Sequence, residues 1–92
     1  MKPEDRQNWI LNRMREHPME SVDVLNSGFV NAYADFTGAK TILQFFGAHK
    51  CPQLGRDLAA LMDRGLLRRA AIGLPPGDAS MGFPKWVYSY RL

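Results

Sequence analysis

The sequence predicts a mostly α-helical chain closed by a small C-terminal β-hairpin, an α+β fold. Three observations carry that expectation. Apolar residues recur at helical spacing in three separate stretches: around Ile10, Leu11 and Met14, around Phe29, Val30, Tyr33 and Phe36, and around Leu54, Leu58, Leu61 and Met62. Residues 74–84 hold three prolines and two glycines, which no regular element tolerates. The chain then runs Trp86-Val87-Tyr88-Ser89-Tyr90-Arg91-Leu92, where β-favouring residues alternate. At 92 residues there is room for one domain, which should bury roughly 60 to 65% of the surface exposed by the unfolded chain. Hydrophobic residues make up 46% and charged residues 23%, ordinary shares for a globular protein rather than a disordered or fibrous one.

Glu4 and Asp5 follow Pro3, where carboxylates favour the positive end of a starting helix, and the stripe Ile10, Leu11, Met14 and His17 continues it until Pro18 ends it. Residues 19–26 stay open between two readings: Val22, Asp23 and Val24 alternate like a short strand, whereas Leu25 already fits the next helix. Ser27 is the expected N-cap of that helix, and Gly38 supplies the left-handed residue that closes it. Ile42, Phe45 and Phe46 at i, i+3 and i+4 predict a short helix over residues 41–47. A tight connection, residues 48–51, leads to Pro52, which suits a first helical turn. The helix it opens turns Leu54, Leu58, Leu61 and Met62 inward and leaves Gln53, Arg56, Ala60 and Arg64 largely off that face. Gly65 stops it, and residues 66–72 read as the first strand of the hairpin.

Charge is unevenly divided. Residues 1–38 carry four basic and six acidic side chains, net −2; residues 39–92 carry eight basic ones against Asp57, Asp63 and Asp78, net +5. Such a half is the electrostatic footprint expected of a polyanion binder, and equally that of a solvated basic surface. The opening MKPEDRQ is not the start of a secretory signal, and the longest apolar run, residues 58–62, is far short of the roughly 18 residues of a membrane span. The expectation is a soluble cytoplasmic protein without a membrane partner. Cys51 is the only cysteine, so no intrachain disulfide forms.

Enzyme constellations fall short. His49 and Cys51 supply two ligands where a structural zinc wants four. Gly38-Ala39-Lys40-Thr41 lacks the glycines of a phosphate-binding loop, and His17 has no nucleophile or carboxylate partner. Cys51, near a helix N-terminus, is either a redox-sensitive thiol or, by default, an inert packed one. No catalytic group, metal or cofactor is expected.

The run LGRDLAALMDRGLLRR, a helix of spaced leucines passing into a glycine and a strand, resembles a winged-helix (winged helix-turn-helix) DNA-binding domain across residues 41–92. The resemblance implies supporting helices in residues 1–40, a helix-turn-helix in 41–64 and a wing hairpin in 65–92. It also implies a sequence-specific duplex-DNA-binding protein, a repressor-like transcriptional regulator. Gln53 and Arg56, at the exposed start of the second helix, would read bases in the major groove, as glutamine pairs with adenine and arginine with guanine. Lys40, Lys50 and Arg64 would contact phosphates, and Arg68, Arg69 and Lys85 would bring the hairpin against the backbone. A homodimer on paired half-sites is the usual aid to discrimination, and a chain this small suits a phage or other mobile element. The rival expectation is a winged-helix module that binds a protein partner, as an inhibitor or assembly factor, without DNA. Each assignment has a plainer counterpart: Arg56 and Asp57 as surface charges on an exposed helix face, and Trp86, Tyr88 and Tyr90 as core or subunit contacts rather than a stacking surface for single-stranded bases.

Overall fold

The computed structural model describes residues 1–43, 49–74 and 85–92. Helix α1 spans Pro3–Glu16, with Pro3 in its first turn, Glu4 and Asp5 at its positive end and Arg13 and Arg15 at its negative end. Gln7, Ile10, Leu11 and Met14 form its buried stripe. His17 does not extend that stripe: it is the exposed C-cap, its N–H bonded to the Arg13 carbonyl, because Pro18 cannot continue the helix. Arg13 then clasps Glu20 with two hydrogen bonds of 2.9 Å and ties the following turn to α1.

The open stretch at 19–26 resolves in favour of neither element. Val22 forms a single antiparallel bridge with Tyr90, whose N–H donates to the Val22 carbonyl at 2.9 Å. One residue later the Asp23 carboxylate accepts from the N–H groups of Leu25 and Asn26 at 2.8 and 3.0 Å, turning the chain at once. Asn26, not Ser27, is the N-cap of α2 (Ser27–Thr37), its side chain accepting from the Phe29 N–H. The asparagine oxygen reaches the open N–H because the Asp23 turn has already placed it there. Gly38 closes α2 in the left-handed conformation at φ 74°. Phe36, expected in the core, is 48% exposed and instead stacks on Trp9 with ring centroids 5.5 Å apart.

The helix expected over 41–47 is corrected where the structure describes it. Ile42–Leu43 is strand β1, paired antiparallel with β2 (His49–Lys50), with Ile42 opposite Lys50 and Leu43 opposite His49. Ile42 and Leu43 are 54% and 66% exposed, so no core surface receives a helical stripe there and the local ladder takes the backbone hydrogen bonds. Phe45 and Phe46 lie outside the described residues. The link expected at 48–51 likewise gives part of itself to β2.

Helix α3 runs Pro52–Asp63 with Leu54, Asp57, Leu58 and Leu61 buried. It ends in a Schellman motif: the Leu66 N–H returns to the Leu61 carbonyl, the Gly65 N–H to Met62, and Gly65 sits at φ 73°. Leu67 enters the core, and β3 (Arg68–Gly73) pairs antiparallel with β4 (Trp86–Arg91), from Arg68 opposite Arg91 to Gly73 opposite Trp86. The strand begins two residues later than expected because the Schellman turn consumes Leu66. Residues 75–84, expected as a loop, lie outside the described residues. One core joins all parts: Ile10 and Met14 from α1, Val22 from the bridge before α2, Phe29 and Tyr33 from α2, Leu54, Leu58 and Leu61 from α3, and Leu67, with Tyr90 packed against it. No helix among the described residues is long and apolar enough to cross a membrane.

Candidate nucleic-acid interface

Asp57 decides how α3 presents its surface. It falls on the leucine stripe and is 3% exposed, so its carboxylate needs partners inside the protein. Arg6 of α1 supplies a two-pronged contact, Nε to Oδ2 at 2.8 Å and Nη2 to Oδ1 at 3.1 Å, and the Tyr33 hydroxyl of α2 donates to Oδ2. Three helices therefore meet on one carboxylate. Arg6 holds its proton more firmly than usual, first through the hydrogen bond to Asp57. Burial, with the bond to Asp57 second, pushes the Tyr33 hydroxyl up to about 12.

That cluster reassigns one expected base reader. Gln53 is half-buried, and its Nε2 donates to the Tyr33 hydroxyl at 3.1 Å, so its amide faces the cluster rather than solvent. Arg56, one turn on, is exposed and makes no hydrogen bond or ion pair with the described residues. The polar face of α3 is thus split: Gln53 is recruited inward by Tyr33, and Arg56 projects. Arg64 is likewise drawn inward, donating through Nη1 to Gln7 of α1 at 2.6 Å.

The other basic residues separate by side. Alternation along the ladder puts Arg69 on one face with Tyr90, Tyr88 and Trp86, and Arg68 on the opposite face with Arg91. Lys85, one residue before β4, continues the alternation of Arg68's face; its carbonyl accepts from the Leu74 N–H. A single flat partner cannot use Arg68 and Arg69 together. The Arg69 guanidinium lies 4.1 Å from the Tyr88 ring centre, a cation–π contact that holds it over its own face. Tyr90, directly opposite Arg69, lines a largely apolar groove that Lys50 and Arg56 also line. Lys50 and Arg56 therefore meet on one groove, while Arg69 shares a hairpin face with the Tyr90 of its wall. Lys40 follows α2, two residues before the β1 residue whose partner is Lys50.

All eight basic residues of 39–92 are exposed. Among the described acids of that segment, Asp57 is buried and matched by Arg6, leaving Asp63 at the surface. Cys51 is buried at the start of α3. Sequence reasoning missed Arg6, Tyr33 and Asp57 as a unit, although a carboxylate three residues after Leu54 on an apolar stripe is a signal that a buried donor must meet it. Comparison of the chain with protein-family models, with curated proteins and with solved structures finds no match.

Proposed function

We propose that the chain binds duplex DNA as a small winged-helix regulator of transcription, repressor-like, with α3 set in the major groove and the hairpin against the backbone. In this reading α2, not residues 41–47, is the helix that precedes the reading helix, and β1 and β2 belong to the connection between them. Arg56 reads a base edge, with Lys50 and Arg69 on phosphates beside it. Lys40 lies toward the Lys50 end, and Arg68 and Lys85 reach phosphate only from the far face of the hairpin. Gln53 and Arg64 serve to hold α3 on the body. The observation that carries the reading is the exposure of all eight basic side chains of 39–92 while Asp57 is cancelled inside.

Fluorescence anisotropy with a random duplex tests it. About four phosphate contacts should make affinity fall on the order of a hundredfold between about 50 and about 200 mM salt. Absence of binding at low salt, or a salt-independent affinity, rejects the reading.

A second reading has its own observation. Trp86 is 51% exposed and meets Tyr88 edge-on at 4.7 Å, with Arg69 over the same tyrosine. Trp, Tyr and Arg are the residues that dominate protein interfaces, and a basic surface of that make-up suits an acidic protein partner. Competition decides: duplex DNA displaces a partner bound at Arg56 and Arg69, and leaves one that engages only Trp86 and Tyr88.

A further inference from the structure

Between α3 and the Val22–Tyr90 bridge runs a groove of about 400 Å³, within the size range of small-molecule sites. Its apolar lining includes Val22, Val30, Leu58 and Tyr90, and α3 contributes Gly55 and Ala59. Three charged residues line it: Lys50, Arg56 and Asp23. The Asp23 carboxylate already accepts two backbone N–H groups, whereas the side chains of Lys50 and Arg56 have no hydrogen bond or ion pair with the described residues. Asp23 keeps its negative charge, so two cations against one carboxylate leave the groove net positive.

Gly55 adds a separate indication. A glycine inside a helix costs about 0.5–1 kcal/mol relative to alanine, and nothing in the fold requires one here. Its φ is not positive, and a Cβ built on it meets no atom within 4 Å. Gly55 also lines the groove. A bare backbone at the wall of an apolar groove permits close approach by a molecule from outside the chain.

We propose that this groove binds a small amphipathic carboxylate, with an apolar tail along Val30, Leu58 and Tyr90 and its anionic head paired with Arg56 and Lys50. The bound carboxylate occupies the guanidinium that reads DNA, so the ligand acts as an inducer that releases the chain from its site. This regulatory half rests on the DNA reading above; the binding half does not.

The test is a titration of isotope-labelled full-length protein with decanoate, decanol and decylammonium, each kept below its micelle concentration, followed by amide shifts in NMR spectra. Decanoate should move the amides of Val22, Gly55 and Ala59 in a saturable manner and bind about tenfold more tightly than decanol, with decylammonium weakest. Gly55→Leu, whose Cβ has open space at the groove wall, should abolish the shifts while the remaining spectrum shows an intact fold. Arg56→Gln should weaken decanoate about tenfold and leave decanol unchanged. Equal affinity for decanoate and decylammonium, or shifts centred on Trp86 and Tyr88 that survive Gly55→Leu, overturn the site. Decanoate should also release a bound duplex. Retention of DNA by decanoate-saturated protein overturns the inducer role with the site intact, and a wild-type protein that binds decanoate but never DNA overturns the DNA reading alone.

Discussion

Replacing Asp57 with alanine leaves the Arg6 guanidinium without its carboxylate and the buried Tyr33 hydroxyl without its acceptor, so the loss exceeds that of a surface ion pair. About 3 kcal/mol should disappear from the unfolding free energy, read as a lower urea midpoint. Gln53→Ala should cost only about 1 kcal/mol of stability and leave affinity for DNA unchanged, because its amide is engaged with Tyr33. Tyr33 also sets an alkaline limit. Its folded value of about 12 lies above the ordinary 10.0, so the fold favours the protonated hydroxyl. That stability is present in full below pH 10 and drains away as pH climbs toward 12. Urea melts from about pH 9 to about pH 12 should show a shallower decline in Tyr33→Phe than in wild type, and parallel declines contradict this assignment.

At the level of elements, the two glycines of the α3 region make opposite predictions. Gly55→Ala should raise stability by about 0.5–1 kcal/mol, since the helix gains propensity and the new Cβ has open space. Gly65→Ala should lower it by about 1–2 kcal/mol, because φ 73° is left-handed backbone that the Schellman turn imposes. Thermal melts of both variants check the pair. Elements were legible where local chemistry was decisive. Pro3 with Glu4 and Asp5, the Gly38 and Gly65 closures and the leucine stripe of α3 each announce a boundary or a face without help from the rest of the chain. At Ile42 the spacing misled, because helical period states only which side would be apolar, not whether a surface exists to cover it. Ile42 is exposed, and its backbone pairs with Lys50 instead. Val22 was ambiguous for the complementary reason: its partner Tyr90 lies 68 residues away, and a one-residue bridge leaves no period to read.

Over the whole molecule, α1, α2, α3 and the hairpin share one core, so the described parts should unfold together. Trp9 packs against that core while Trp86 stands on the hairpin, and their fluorescence should report the same midpoint as helical circular dichroism. Two separated transitions would mean that the hairpin melts alone. The excess of positive charge in 39–92 was visible in the sequence, but its distribution was not. Only the fold shows Arg68 and Arg69 on opposite faces, Arg64 drawn to Gln7, and Arg6 brought from α1 to cancel Asp57. Under the proposed reading, Arg56 is what remains for recognition, exposed on α3 and lining one groove with Lys50. Comparing Arg56→Ala with wild type, on the best duplex selected from a random library and on random duplex, probes that arrangement most directly. A loss of about 1 to 3 kcal/mol confined to the selected site, with relaxed preference at one base pair, is the expected result. An equal loss on both duplexes, or none on either, would contradict Arg56 as the residue that reads sequence.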